Sequence, residues 1–378
     1  MRTATTILAL CVAALLVLGS VTLYSAVMVT GGEKFMRQML YLLLGLVVCV
    51  SLALIDYRRW KTWMVWVILG SALLLLALVF VPGIGRTING ANRWIFIAGV
   101  QLQPSELARL AMILALAAYA DRHQRRMNTF RHGIVGTCLI AGPVLALVLL
   151  GRDLSTTAAL GCLAGTLIFV SGVRWLHVMP VAALLLAGLV AYVAQSEMRM
   201  NRIRAFLEPS QFQETIAVQN SRAATAMTVG GPGGLGLADS PFKKGSHNVP
   251  LHFSDFIFSV VGAEGGLVAT LGTVTLYLLL LLSGIYIAWH SRDVFGMLLA
   301  TGITLSICLQ AFVHMGVVTG ILPNTGFPLP FISHGGTNLI VTLAGIGLLF
   351  SIARQGLVRR QSKNPFDRHI EVPVAESA

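Results

Sequence analysis

A polar segment of the chain gives way to an apolar one within the stretch His252-Phe253-Ser254-Asp255-Phe256-Ile257-Phe258. The polar segment, residues 195–255, is rich in side chains that carry charge or can gain it: Arg199, Arg202, Arg204, Glu208, Glu214, Arg222, Asp239, Lys243, Lys244 and His247. Almost all of the sequence on either side is apolar. Asp255 is therefore a carboxylate at the edge of an apolar segment, beside a loop rich in cations. This pattern favours chemistry on an anionic lipid.

The composition indicates a membrane protein. Of the 378 residues, 56% are hydrophobic and 11% are charged, whereas soluble domains carry about 25% charged residues. Apolar runs of about 18 residues or more recur along the chain, as in proteins that cross a membrane several times. Because the backbone must satisfy its own hydrogen bonds in hydrocarbon, the sequence predicts an all-α polytopic membrane protein.

About ten transmembrane helices are predicted, with a large extracytoplasmic loop, residues 195–255, between the seventh and the eighth. The predicted spans are residues 5–28, 37–54, 62–80, 105–120, 134–150, 154–172, 175–194, 256–287, 294–319 and 336–357. The first apolar run is too long for a signal peptide and further spans follow, so we expect it to be the first helix. Residues 1–358 are expected to form one transmembrane domain, and residues 359–378 a disordered cytoplasmic tail.

The distribution of positive charge predicts the orientation. With the N-terminus inside, the predicted inner segments hold fifteen Lys and Arg residues and the short outer loops hold five. Because cytoplasmic loops are enriched in these residues, both termini are expected in the cytoplasm and the 195–255 loop on the outer face. The net charge of +12 then needs no nucleic-acid partner, since no basic helix or basic–aromatic module accompanies it. The five cysteines lie singly in apolar runs and predict neither disulfides nor a metal site.

Two clusters on the predicted outer face precede or open the fourth span: Asn89-Gly90-Ala91-Asn92-Arg93-Trp94 and Gln101-Leu102-Gln103-Pro104-Ser105-Glu106. Arg93 followed by Trp94 is also typical of an interfacial anchor. Glu106 and Arg109 stand at positions i and i+3 just inside the span, where ionisable side chains are costly and face a partner or a water-filled cavity. A functional pair is favoured, and an intrahelical ion pair is the alternative.

Other polar residues of the outer face have two interpretations each. Asp153, in the turn Gly151-Arg152-Asp153-Leu154-Ser155-Thr156-Thr157, suits either a helix cap or a site residue. Arg199 and Arg202 share one helical face, which suits a clamp on phosphate or pyrophosphate, with a solvated amphipathic helix as the alternative. The glycines of residues 230–236 contain a G-x-G-x-x-G spacing, but no strand precedes them. A flexible turn whose backbone approaches a ligand is favoured over a dinucleotide site.

Prolines and glycines interrupt the apolar sequence of residues 320–338. Such backbone is tolerated at membrane depth only when it is packed in protein or lines a cavity, which predicts a re-entrant loop. Asp255 has an ordinary explanation as a residue that stabilises a helix N-terminus. Few carboxylates face the outer side, however, so a catalytic role is favoured for it. Glu264 follows nine residues later and need not share a face with Asp255.

Together these motifs resemble, over nearly the whole chain, the SEDS family of peptidoglycan polymerases, which includes FtsW, RodA and SpoVE. The resemblance rests on Asn89-Gly90-Ala91-Asn92-Arg93-Trp94 with Gln103-Pro104-Ser105-Glu106, on Arg199 and Arg202 with Phe206-Leu207-Glu208-Pro209, on Ser254-Asp255-Phe256-Ile257-Phe258, and on Leu329-Pro330-Phe331-Ile332-Ser333-His334-Gly335-Gly336. Tyr24-Ser25-Ala26 and Asp56-Tyr57-Arg58 fit the first two spans of that family.

The chain departs from the family pattern at several positions. His334 replaces a Tyr, Thr337-Asn338 a pair of serines, His314 an Asn, and Arg109 a Lys. Ala263-Glu264-Gly265 stands where Glu-Glu-Leu is common, so that only Glu264 carries over. Leu-Pro-Glu-Ala-His is reduced to Val249-Pro250-Leu251-His252.

The resemblance implies that the chain polymerises lipid II into glycan at the outer face of the bacterial inner membrane. Asp255 is expected to deprotonate or orient the acceptor 4-hydroxyl, and undecaprenyl pyrophosphate leaves with inversion at C1. The expected substrate-binding residues are Glu106, Arg109, Arg93, Asp153, Arg199, Arg202, Glu264 and Ser333. A divalent cation, Mg or Mn, is a possible cofactor, and no metal ligands are assigned.

The resemblance also implies partners: a class B penicillin-binding transpeptidase, other divisome or elongasome proteins, and membrane lipid. Two other functions stay open, a lipid II flippase and a non-catalytic scaffold for that transpeptidase. The pattern of Asp239-Ser240 with Lys243 favours a division-type protein, FtsW, over an elongation-type one.

Overall fold

The computed structural model describes residues 1–27, 32–88, 91–97, 100–195, 216–237 and 253–361, together with residues 197, 200, 201, 204 and 206. The described chain is almost entirely helical, as predicted. Its helices are α1 (Arg2–Val27), α2 (Glu33–Leu54), α3 (Met64–Leu78), α4 (Pro104–Arg122), α5 (Gly136–Leu150), α6 (Leu154–Val170), α7 (Trp175–Ala194), α8 (Ile216–Gly230), α9 (Ile257–Trp289), α10 (Val294–Val318) and α11 (Gly336–Gln361).

The helices form a polytopic membrane protein. Seven described helices are long and apolar enough to cross a membrane, namely α1, α2, α5 with the π-helical turn before it, α7, α9, α10 and the Gly336–Gly356 part of α11. Two shorter apolar helices, α3 and α6, and the deeply buried α4 coincide with the other three predicted spans. Each predicted span is therefore a helix, while the number of membrane crossings stays a prediction.

A small antiparallel sheet, which the all-α prediction did not include, precedes α4. Its strands are β1 (Gly85–Ile88), β2 (Ala91–Ile97) and β3 (Val100–Leu102), in the order β1-β2-β3. Asn89-Gly90, between β1 and β2, is the dipeptide most typical of a two-residue hairpin connection, and β-branched and aromatic residues flank it. Asn92 N–H donates to the carbonyl of Gly151 at 2.9 Å, which joins the sheet to the turn between α5 and α6.

Helix α9 is broken at Gly266, whose φ of 65° and ψ of −161° are accessible only to glycine. The glycine-rich turn after α8 packs against the break. The N–H groups of Leu235 and Gly236 donate to the carbonyls of Ala263 and Glu264, at 2.9 and 3.1 Å. In return, Leu267 N–H of α9 donates to the carbonyl of Gly231 at 2.9 Å. The glycines thus let one stretch of backbone approach another, and these bonds satisfy groups that the break would otherwise leave unpaired.

The polar loops gather at two ends of the bundle. At one end, Tyr57 donates to Asp293, which also caps α10 through Gly296 N–H at 2.9 Å, and Lys61 pairs with Asp121. This end carries the loops predicted to be cytoplasmic, and we call it the basic end. The other end carries the sheet, residues 253–256 and residues 319–335, and we call it the site end.

Candidate active site

Asp255 lies in a turn, residues 253–256, that leads into α9. Two hydrogen bonds tie this turn to the segment between α10 and α11. Ser333 Oγ donates to the carbonyl of Ser254 at 2.7 Å, and His334 N–H donates to the carbonyl of Phe253 at 3.0 Å. The backbone on both sides of position 254 is thereby held, so the Asp255 carboxylate projects from an anchored base.

The segment of residues 319–335 is irregular: residues 319–322 are exposed, whereas residues 327–333 are mostly buried, and its depth in the membrane stays a prediction. His314 Nδ1 lies 2.6 Å from the carbonyl of Phe327, and the Tyr277 hydroxyl donates to the carbonyl of Pro330. Gln38 Nε2 donates to the carbonyl of Ser333 at 3.3 Å, and Gln38 Oε1 accepts from Gly335 N–H at 3.3 Å. Side chains from α10, α9 and α2 therefore position this segment.

Burial and nearby charge set the proton affinity of Asp255. Its side chain is half-buried, and desolvation raises the pKa of the carboxyl above its usual value. A hydrogen bond with the Ser254 side chain and the positive charge of Arg93 act in the opposite direction and lower that pKa. Gly326 borders the carboxylate, because a Cβ at that position would lie 3.7 Å from Asp255 Oδ2. The carboxyl is thus less acidic than an exposed aspartate.

Arg93 and Asp153 form an ion pair at the site end. Arg93 Nη1, on β2, lies 3.7 Å from Asp153 Oδ2, and Asp153 is buried. Asp153 Oδ1 also accepts from Thr156 N–H at 3.2 Å, which caps α6. One oxygen of Asp153 therefore caps α6 and the other faces Arg93, while the substrate-binding role of Asp153 stays a prediction.

Glu106 and Arg109 lie in a buried polar network. Arg109 Nη2 is 2.9 Å from Glu106 Oε2, so the intrahelical pair is present. Glu106 also accepts from Gln310 Nε2 at 3.4 Å and from Asn338 Nδ2 at 3.1 Å. Asn338 Nδ2 donates in turn to Gln310 Oε1 at 3.3 Å. The network joins α4, α10 and α11, and it gives the buried guanidinium a charged partner.

The network is connected to the Asp255 turn through α10. Gln310 and His314 are four residues apart on that helix and therefore lie on one face. Gln310 bonds to Glu106, whereas His314 holds the carbonyl of Phe327, which follows Gly326 beside Asp255. The two predicted functional groups of the chain, which do not touch in the described structure, are thus linked by two side chains of one helix.

Glu264 lies apart from these contacts. Its Oε1 accepts from the Ser25 hydroxyl at 2.9 Å, and it is buried between α9 and α1. Arg199 and Arg202 lie outside the described residues. Among the described residues, no group of three or more His, Cys, Asp or Glu side chains is arranged to hold a metal ion.

Sequence reasoning did not assign a role to Gln310, Asn338, His314 or Tyr277, although His314 and Asn338 were recognised as departures from the family pattern. One signal could have indicated Gln310 and His314. They are polar residues four positions apart in an apolar span, and such residues usually face a partner inside the bundle.

Comparison with known proteins relates this geometry to a family. A family model of cell cycle proteins, that of FtsW, RodA and SpoVE, matches residues 4–357. The chain is 38% identical over 347 residues to a probable peptidoglycan glycosyltransferase FtsW of Geobacter metallireducens, across 90% of this chain and 92% of the relative. The crystal structure of the rod shape determining protein RodA of Thermus thermophilus superposes with a TM-score of 0.68 at 32% identity, over 92% of this chain and 96% of that one. A chain of a peptidoglycan synthase complex that coordinates polymerization and crosslinking matches with a TM-score of 0.76 at 31% identity, over 92% and 97%.

Proposed function

The chain belongs to the family of FtsW, RodA and SpoVE, and we propose on that basis that it is a peptidoglycan glycosyltransferase acting on lipid II. The observation that supports this most is the Asp255 carboxylate. It is half-buried, it projects from a turn that two hydrogen bonds tie to the segment before α11, and the charge of Arg93 acts on it. A general base needs this combination of fixed position and tuned proton affinity.

In the proposed reaction, Asp255 accepts the proton of the acceptor sugar's 4-hydroxyl. The hydroxyl oxygen forms a bond to C1 of the donor sugar, and the bond from C1 to the pyrophosphate oxygen breaks. The electron pair of that bond leaves with undecaprenyl pyrophosphate, so C1 is inverted. Asp255 returns its proton to water after the product moves.

The leaving pyrophosphate gains negative charge and needs cations in place before the reaction. Arg93 is the best candidate among the described residues because its charge already acts on Asp255. Arg109 forms an ion pair with Glu106, so we propose that it stabilises the buried network rather than binding phosphate directly. Arg199 and Arg202 remain proposed pyrophosphate ligands. A divalent cation, Mg or Mn, stays a proposed cofactor that would help these arginines to neutralise the pyrophosphate.

The membrane contributes to the proposed reaction by holding both lipid-linked substrates in one plane, which reduces the entropic cost of bringing them together. We propose that the site end faces outward and that both termini are cytoplasmic, since the loops at the basic end carry the excess of Arg and Lys. The similarity to a chain of a peptidoglycan synthase complex supports a transpeptidase partner, which we propose to be a class B penicillin-binding protein.

The test is polymerisation by the purified full-length chain in liposomes that carry lipid II on both leaflets, with and without the transpeptidase. We expect glycan strands of many disaccharides to form, and the partner to increase their yield. A flippase would move lipid II between leaflets without lengthening it. A scaffold would give no glycan with catalytically inactive transpeptidase present, and either result would contradict the proposal.

A further inference from the structure

A second group of basic side chains lies at the site end, away from Arg93. Lys34 and Arg37 belong to the first two turns of α2, and His334 belongs to the segment before α11. Lys34 Nζ lies 3.9 Å from the centre of the Phe253 ring, two residues before Asp255. The Phe253 and His334 rings meet edge to face with centroids 6.1 Å apart. The group therefore borders the same turn that carries Asp255.

These basic groups lack an anionic partner in the part of the chain that the structure describes. No described carboxylate lies within salt-bridge distance of Lys34 or Arg37, although Glu33 precedes them in the sequence. His334 Nδ1 is buried without a hydrogen-bond partner among the described residues. Burial lowers the pKa of His334, and the charges of Lys34 and Arg37 lower it further. The local potential is therefore positive.

The first turn of α11 separates this group from Arg93. On one side, Gly335 N–H donates to Gln38 of α2. On the other side, Thr337 Oγ1 accepts from Gln103 N–H at 3.2 Å and lies 3.4 Å from the carbonyl of Gln101, on β3. The sheet that carries Arg93 is thus on one flank of α11 and the basic group of α2 is on the other. The two groups of cations therefore approach the start of α11 from different elements.

We propose that Lys34, Arg37 and His334 bind the pyrophosphate of a second lipid-linked substrate while Arg93 serves the first. The inference rests on the proposed function, because joining two lipid-linked sugars requires two pyrophosphates at the site together. Lys34 and Arg37 open a predicted transmembrane helix, so we expect them at the depth of lipid headgroups, and charge-assisted bonds to phosphate are the strong ones. The N-terminus of α11, which begins two residues after His334, adds a favourable dipole beside this group.

The experiment counts bound undecaprenyl pyrophosphate by native mass spectrometry on the full-length protein in phosphatidylcholine nanodiscs. We expect two molecules on the wild type and one on Lys34→Gln/Arg37→Gln, with the second site weakened about tenfold or more. Arg125→Gln/Arg126→Gln, which removes two exposed cations at the basic end, serves as the matched control and should keep both molecules. Lys34→Arg/Arg37→Lys should restore the second molecule, which separates lost charge from damaged folding.

Phosphatidylglycerol in the nanodisc distinguishes a pyrophosphate site from one for ordinary phospholipid headgroups. Displacement of the second molecule by a modest fraction of phosphatidylglycerol would overturn the proposal, as would two molecules on the Lys34→Gln/Arg37→Gln variant. The outcome is independent of polymerisation. If Lys34→Gln/Arg37→Gln loses the second molecule but the wild type makes no glycan, the site is supported and the proposed function is contradicted. If the wild type makes glycan but Lys34→Gln/Arg37→Gln keeps both molecules, the proposed function is supported and the site is contradicted.

Discussion

The hydroxyl of Ser333 donates a 2.7 Å hydrogen bond to the carbonyl of Ser254, the residue immediately before Asp255. The same hydroxyl accepts from Leu329 N–H at 2.7 Å. One buried side chain therefore connects the irregular segment between α10 and α11 to the turn that carries the carboxylate. Substrate contact by Ser333 stays a prediction, and we propose that these two bonds also position Asp255.

Replacement of Ser333 by alanine removes both bonds and should leave two backbone groups poorly satisfied. We expect the polymerisation rate to fall about 10- to 100-fold because small displacements of a catalytic group are costly. The free energy of unfolding should drop by about 1–3 kcal/mol. Ser283→Ala is the control, since Ser283 bonds only within its own helix. A full rate in the Ser333→Ala protein would show that the tie does not matter for catalysis.

The charge of Arg93 should appear in the pH dependence of the reaction. In the proposed mechanism Asp255 acts as a base only when ionised, so activity should fall as the pH drops through the pKa of its carboxyl. Arg93 lowers that pKa, and Arg93→Gln should therefore move the acidic limb of the pH–rate profile to higher pH. Arg86→Gln is the control and should leave the acidic limb in place, because Arg86 lies on the same sheet but stacks on Phe96. An unchanged acidic limb in Arg93→Gln would disprove the coupling.

In the buried pair of Glu106 and Arg109, removing one charge should cost more stability than removing both. Glu106→Gln leaves the guanidinium without a counter-charge and should cost about 3–5 kcal/mol of unfolding free energy. Glu106→Gln/Arg109→Met removes both charges and should cost less than Glu106→Gln alone. The stability of both variants is measured in detergent from the loss of helical signal on heating. If the double variant were the less stable one, the pair would not be held by charge.

The break in α9 should be specific to its glycine. Gly266→Ala places a side chain in a backbone conformation that costs about 1–3 kcal/mol, and the added methyl group would clash with the backbone of Gly234. Gly272 lies in the same helix with open space around it, so Gly272→Ala should be neutral or slightly stabilising. Thermal unfolding of the two variants provides the comparison. Equal stability of the two proteins would mean that the break tolerates an ordinary residue.

Hydropathy was sufficient to predict the ten helices that coincide with predicted spans, because the length and apolar character of a membrane helix are local properties of the sequence. It did not predict α8, which lies within the predicted 195–255 loop. The sheet was not predicted, although Asn89-Gly90 is a strong hairpin signal, since hydropathy over the length of a membrane helix does not register strands as short as these. The break in α9 was not predicted either. Gly266 is one of many glycines in the sequence, and only its contact with the turn after α8 distinguishes it from the others.

The residues of the candidate site that could be predicted are the charged ones, because a charged side chain is conspicuous in an apolar sequence. Asp255, Glu106 and Arg109 are charged residues at the ends of spans, and the pairing of the last two follows from helical spacing. Asn338 and Gln310 could not be placed with Glu106, because they lie more than two hundred residues away in the sequence. Contacts of this kind depend on the packing of α4, α10 and α11, which local patterns do not encode.

The most direct measurement of the central claim is the rate at which purified Asp255→Asn polymerises lipid II. Asparagine keeps the size and the hydrogen-bonding capacity of the side chain but removes its basicity. The rate should fall by about 10²- to 10⁴-fold with normal folding, while Glu197→Gln, an exposed carboxylate elsewhere, keeps the wild-type rate. Wild-type glycan synthesis by Asp255→Asn would contradict the assignment of Asp255 as the base and the mechanism that depends on it.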